Sequence, residues 1–268
     1  MQPFFLPGER GQRFCLYHPP KDVARGAIIY LHPFAEEMNK ARRMAALQSR
    51  AMAEAGFAVL QIDLLGCGDS AGDFSDATWS AWRDDVHLAY RWLRSQTPAP
   101  LTLWGLRAGC LVAVSAAVNL PEKTNFIFWQ PAISGKQHWQ QFMRLKMAGE
   151  LASGQAKGIT EQLRRQLSAG EPVEIAGYTV SPALAEGLEA TELDPPANGN
   201  GQIIWLETSL RDEATLAPVS LKRIEYWLVA GYAVHAKVVR GPAFWQTSEI
   251  EDAPELLVTT RAALVSLT

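Results

Sequence analysis

Leu101-Thr-Leu-Trp104-Gly105-Leu106-Arg107-Ala108-Gly109-Cys110 is the stretch on which the fold turns. Leu101–Trp104 has the apolar and β-branched pattern of a strand covered on both faces, and Ala108 to Asn119 is a run of small, helix-compatible residues that ends before Pro121. Gly105 and Gly109 bracket the junction. Strand, glycine-flanked turn and helix in that order give the G-x-S-x-G spacing of a nucleophile elbow. In such an elbow a strained turn lifts the central side chain above a sheet edge, with a helix N-terminus behind it. The central residue here is Arg107. A guanidinium stays protonated and has no lone pair to offer, which excludes Arg107 as a nucleophile. It suits an anion clamp, at a place where the Ala108 N–H and the helix dipole also favour negative charge.

Outward from this junction, strand-like and helix-like segments alternate, as in a mostly parallel sheet covered by helices. The pattern predicts strands at 26–32, 58–63, 125–129, 202–206 and 236–239, and helices at 39–55, around 82–93, at 216–230 and from Pro254. Phe4–Leu6 and Arg13–Tyr17 fit an antiparallel edge hairpin. The interval between Ile133 and Asn200 is too long for a simple crossover and reads as helical over 137–150 and 160–169. The expected organisation is a core of 1–132 and 201–268 with a helical cap inserted at 133–200. Within that cap, 133–170 carries six basic and two acidic residues, and 171–200 six acidic and no basic ones. Either two solvated faces attract each other, or the basic half is an anion-binding lid.

Composition narrows the class of function. The 268 residues are 48% hydrophobic and 20% charged with a net charge of −3, which is globular and argues against nucleic acid or an anionic membrane as the main partner. No stretch approaches the ~18 uninterrupted apolar residues of a membrane span. The first thirteen residues lack a basic segment followed by an apolar run, so no signal peptide is expected. Three cysteines without metal-ligand spacing predict neither a disulfide framework nor a metal site, and no cofactor motif stands out. The expectation is a cytoplasmic protein. Nine tryptophans point to an aromatic-rich core or pocket.

Four stretches carry a closer resemblance: His32-Pro-Phe-Ala-Glu-Glu-Met-Asn-Lys-Ala-Arg-Arg43, Gly66-Cys-Gly-Asp-Ser-Ala-Gly-Asp-Phe74, Leu103-Trp-Gly-Leu-Arg107 and Gly241-Pro-Ala-Phe-Trp-Gln-Thr247. With the elbow and the Asp63-x-x-Gly66-x-Gly68-x-Ser70-x-Gly72 loop, the chain resembles the α/β-hydrolase superfamily. More narrowly, it resembles the exosortase A system-associated hydrolase 2 family. That resemblance implies an α/β-hydrolase fold, a mostly parallel sheet flanked by helices. It also implies a hydrolase accessory to exopolysaccharide production or protein sorting, with an oxyanion-hole donor near the Leu31-His32-Pro33 strand end.

The residues themselves lack the usual triad. No histidine follows His235, which lies at the entry end of its strand. Four or five residues at ~3.3 Å each place it about 15 Å from the catalytic edge. Phe244 and Trp245 stand near the histidine's slot, and Glu207 occupies the usual place of the acid. Gly68-Asp-Ser70-Ala-Gly72 also spells G-x-S-x-G, yet no helix follows it, so Ser70 reads as a loop tie. Gly66-x-Gly68-x-x-Ala71 is a weak dinucleotide fingerprint that fails for the same reason. Cys110 is expected to be core filler, while Cys67 is the better candidate for a reactive thiol. His32 is either a satisfied structural histidine or a pocket contact. Glu36 and Glu37 either favour a helix N-terminus, pair with Arg107, or activate water. The expected site therefore comprises His32, Phe34, Cys67, Arg107, Ala108, Phe244 and Trp245 as ligand contacts and Glu36, Glu37 and Glu207 as catalytic candidates. Its ligand is expected to be a small anionic or acyl-bearing molecule. A non-catalytic interaction module is the alternative.

Overall fold

The computed structural model describes residues 1–151, 158–197 and 200–266. The chain runs β1 (Gln2–Gly8), β2 (Gly11–His18), β3 (Gly26–Leu31), α1 (Glu36–Glu54), β4 (Phe57–Ile62), a 3₁₀ turn (Phe74–Asp76), α2 (Trp79–Gln96), β5 (Leu101–Leu106), α3 (Ala108–Ala117) and β6 (Thr124–Trp129). Between β6 and the next strand of the main sheet come α4 (Gly135–Leu151), α5 (Ile159–Ser168), β7 (Val173–Ile175), β8 (Tyr178–Val180) and α6 (Pro182–Glu189). The chain then closes with β9 (Gln202–Ser209), α7 (Pro218–Val229), β10 (Ala233–Arg240) and α8 (Pro254–Ser266).

Eight strands form one sheet in the order β1-β2-β4-β3-β5-β6-β9-β10. The β1–β2 hairpin joins β4 in antiparallel fashion, and every other pairing is parallel. The central strands are fully buried runs, because helices cover both faces and neither face needs polar side chains. Met44, Met52 and Leu256 of α1 and α8 pack on one face. Val86, Leu111 and Trp227 of α2, α3 and α7 pack on the other.

The strand order fixes where a site forms. From β3 the chain goes to β4 on one side, then crosses back to β5 on the other. The connections leaving β3 and β5 therefore diverge to opposite faces through α1 and α3, opening a crevice at the carboxyl ends of those strands. A Cβ at Gly109 would lie 2.2 Å from the Leu31 carbonyl oxygen, and one at Gly105 would lie 2.5 Å from the Cys110 nitrogen. Both glycines are thus required by close backbone approach, which draws the start of α3 against the end of β3.

In this segment the two expected helices form, and two features beyond them appear. One is the β7–β8 hairpin, turned by Ala176 (φ 52°) and Gly177 (φ 83°). The other is α6, whose Ser181 Oγ accepts from the Leu184 N–H at 3.2 Å with Pro182 in the first turn. Lys146 of the basic half meets Glu174 of the acidic half at 2.9 Å. Among the described residues no helix is long and apolar enough to cross a membrane.

Candidate functional site

Arg107 occupies the tip of the β5–α3 junction with φ 55° and ψ −120°, a conformation that costs a non-glycine residue about 1–3 kcal/mol. Hydrogen bonds hold the turn in place. Its N–H donates to the Trp129 carbonyl at 3.0 Å, and its carbonyl accepts from Cys110 and Ala132 at 3.1 and 3.2 Å. Across the crevice, Ala35 precedes α1 with nearly the same geometry, φ 49° and ψ −124°. Two strained residues thus stand beyond the carboxyl ends of β3 and β5, each at the N-cap of the helix that follows.

The crevice is a cleft of about 760 Å³, within the ~300–1,000 Å³ common for small-molecule sites. Its floor is Arg107 with Glu36, Glu37 and Lys40 of α1. Its roof is one face of α4, formed by His138, Gln141, Phe142 and Leu145 at i, i+3, i+4 and i+7. Phe34, Trp245, Gln246 and Ala176 complete the walls.

Glu37 is the partner of Arg107: the guanidinium Nε donates to its Oε1 at 3.1 Å. The Arg107 guanidinium also donates to Gln141 Oε1 at 3.4 Å and lies 5.7 Å from the centre of the Trp245 ring, a cation–π contact. Burial pushes the Glu37 carboxyl up to about 7, outweighing the pull of Arg107 in the other direction. Glu36 is raised as well, again through burial. His138 is pushed down to about 3 by burial and by the nearby Arg107 charge, so its ring is neutral. Two acids and two bases line the cleft with this neutral ring.

Several expected contacts lie elsewhere. His32 is buried with both ring nitrogens engaged: Nδ1 donates to the Pro33 carbonyl at 2.8 Å, and Nε2 accepts from the Leu64 N–H at 3.3 Å. It ties the end of β3 to the loop after β4, and no ring nitrogen is left for a ligand. Cys67 does not line the cleft, and its thiol is driven upward by burial, the opposite of a reactive thiolate. Phe244 is fully buried behind the wall, 5.1 Å from Trp245 and 6.2 Å from Trp129 between ring centres. Glu207 is buried and accepts from the Trp205 indole N–H at 2.9 Å, away from the cleft lining. Ala108, whose backbone N–H was the expected donor, is buried at the start of α3, and its side chain is not part of the lining. Ser70 bonds to the Asp63 carbonyl and accepts from the Phe14 N–H at 2.9 Å, so its hydroxyl serves the loop. Cys110 fills the core. Phe34, Glu36, Glu37, Arg107 and Trp245 are the expected residues that the fold brings together. Lys40, His138, Gln141 and Phe142 were not singled out from the sequence, although the 3.6-residue spacing of the α4 face was readable there.

Among the described residues, no group of three or more His, Cys, Asp and Glu side chains is placed to hold a metal ion.

A family model described as serine aminopeptidase S33 matches residues 22–190, more than half of the chain. Human Protein ABHD12B is 31% identical over 115 residues, 42% of this chain, and the match spans only 30% of that protein's length. Among solved structures, Est1E from Butyrivibrio proteoclasticus with bound ferulic acid superposes with a TM-score of 0.71 at 14% identity, covering 98% of both chains. A thermostable carboxyl esterase from Bacillus coagulans in complex with glycerol superposes at 0.65 with 16% identity, covering 99% of this chain and 96% of the other. At such identities the likeness shows the shared fold.

Proposed function

This chain belongs to the serine aminopeptidase S33 family of α/β-hydrolases, and we propose that it has exchanged acyl-serine chemistry for capture of a small polar ligand in the cleft above Arg107. The observation that carries this reading is Arg107 itself, held at the elbow tip and paired with Glu37. Acyl transfer needs a nucleophile that gives its proton to an adjacent base, and that base is oriented by a third group. A guanidinium at the tip supplies no such nucleophile. No histidine follows β10 to act as base, and Glu207, in the acid's place, is occupied by the Trp205 indole. Two of the three triad positions, nucleophile and base, are therefore missing.

In the cleft, Arg107 acts as a hydrogen-bond donor and as a floor on which Trp245 stacks. Glu37 keeps that donor charge-compensated, and residues 133–200 act as a cap over the core of 1–132 and 201–268. The three buried, free thiols accord with a reducing compartment such as the cytoplasm. An accessory role beside exopolysaccharide production or protein sorting rests on the four-stretch resemblance alone.

One observation favours a second reading. Glu37 has a carboxyl raised to about 7, a property of a general base for a water nucleophile. Turnover of p-nitrophenyl acetate and butyrate across pH 5–9 separates the two. The binding reading predicts no turnover above background for the wild-type protein. Turnover that rises through pH 7 and vanishes in Glu37→Gln would transfer the function to the general base.

A further inference from the structure

Arg107 is only partly used by its neighbours. Its Nε donates to Glu37 Oε1 at 3.1 Å, and its Nη2 reaches Gln141 Oε1 at 3.4 Å, longer than a well-made hydrogen bond. Nη1 has no hydrogen-bond partner among the described residues and is not one of the atoms buried out of reach. The side chain is 14% exposed on the cleft floor. Nη1 and, with Gln141 turned aside, Nη2 present the fork that holds a carboxylate through two parallel hydrogen bonds. Lys40 stands beside it, half-buried, with its Nζ making one 3.4 Å contact to the Gln246 carbonyl. Leu145, 40% exposed at the mouth, offers apolar surface to whatever the carboxylate carries.

The charge balance of the cleft limits what enters. Glu36, Glu37, Lys40 and Arg107 sum to zero when both acids are ionised. Glu37 faces Glu36 and Lys40 on its own helix, Arg107 from the β5–α3 junction, and the neutral His138 ring from α4. Tyr178 of β8, near Glu36, is a phenol that burial keeps protonated. Ala176, Trp245 and Gln246 bring no titratable group. An anion on the fork would share a single guanidinium with the Glu37 carboxylate, and two carboxylates on one cation strongly disfavour both being ionised. Burial has already pushed Glu37 up to about 7, so it takes a proton readily near neutrality. Once protonated, its carbonyl oxygen still accepts from Arg107 Nε, and the arginine stays in place.

Resting on the reading of this cleft as a binding site, we propose that it takes a monoanionic carboxylate on the Arg107 fork together with one proton from solvent, which the Glu37 carboxylate receives. Anion and proton enter as a neutral pair, so the cleft carries the same charge before and after. A dianion brings one negative charge more than this exchange neutralises, and a neutral amide lacks the charge that the fork matches.

The test is calorimetric titration of the full chain with sodium benzoate and sodium butyrate, against benzamide and inorganic phosphate at matched ionic strength. Each titration is run in Pipes and in Tris, whose different protonation enthalpies report the protons taken up. Saturable binding of at least one carboxylate is expected, with uptake approaching one proton at pH 8 and falling toward none at pH 5.5. Its affinity should drop by about tenfold for each pH unit above 7, the slope of one linked proton. Glu37→Gln, checked for an unchanged melting curve, should bind the same carboxylate with no proton uptake and a flat affinity over pH 7–8.5. Carboxylate binding without proton uptake in the wild-type protein would overturn the coupling, as would uptake that persists in Glu37→Gln. Benzamide or phosphate bound in preference to the carboxylates would overturn the class and leave the binding reading standing. Failure of both carboxylates to bind would also overturn the proposal. The binding reading itself answers to ester turnover, measured separately.

Discussion

Two buried arginine–carboxylate pairs sit at opposite ends of this molecule's purposes. Arg13 and Asp85 join the β1–β2 hairpin to α2 at 2.7 Å, with both side chains 5% exposed or less. Both carboxylate oxygens of that pair are engaged: Asp85 Oδ2 accepts from the Leu65 N–H at 2.7 Å, and the Arg13 guanidinium also donates to the Gly11 carbonyl at 3.0 Å. Arg107 and Glu37 are looser at 3.1 Å, with one carboxylate oxygen unpartnered and a cleft above them. The first pair is a finished joint; the second is an open one. Removing one partner of a buried ion pair is costly because it strands a charge, and less so where the remaining group can neutralise itself.

The largest effect should come from breaking the finished joint. Asp85→Ala leaves the Arg13 charge buried without compensation and is expected to cost roughly 3–5 kcal/mol in urea-melt stability. Arg107→Ala should cost less, about 1–2 kcal/mol at pH 7, because Glu37 can take up a proton when its partner is lost. Equal losses from the two substitutions would show that the two pairs do not differ.

The open joint should also show in the pH dependence of stability. A carboxyl raised from 4.5 to about 7 by burial binds its proton more tightly in the folded state. Its contribution is therefore fully present below pH 4.5 and is lost as pH rises through 7. Asp85 is raised in the same direction by burial, so both act with the same sign. Glu37→Gln should flatten the decline of stability between pH 5 and pH 7.5, as read from urea melts at stepped pH. An unaltered slope would assign that titration to other groups.

The smallest effect is expected at the surface. Glu174, more than half exposed, pairs with Lys146 across the two charged halves of the insertion. Glu174→Gln should change stability by less than ~0.5 kcal/mol, and by less still at high salt.

The sequence made the core of the fold legible because its central strands are unbroken apolar runs and its elbow carries two glycines that geometry requires. The β7–β8 hairpin was hidden because it turns on Ala176-Gly177, where an alanine takes a positive φ that no turn preference announces. The α6 helix did carry a signal, a serine cap followed by proline, but it was a single cap beside a short element. At the site, the pairing of an α1 acid with Arg107 was foreseeable. The choice of Glu37 over Glu36 depends on where α1 begins, and that start is set by another positive-φ alanine, Ala35. His32, Cys67 and Phe244 stand close to the cleft in sequence terms. Proximity to a strand end does not say which way a side chain turns, and all three turn into the core.

The central claim is that the elbow of this hydrolase fold holds a binding arginine and leaves no serine to acylate. Intact-protein mass spectrometry after incubation with a serine-directed fluorophosphonate tests it most directly. An unmodified mass after exhaustive treatment is expected. A stoichiometric single adduct, lost in Ser70→Ala or relocated to any other serine by peptide mapping, would contradict it.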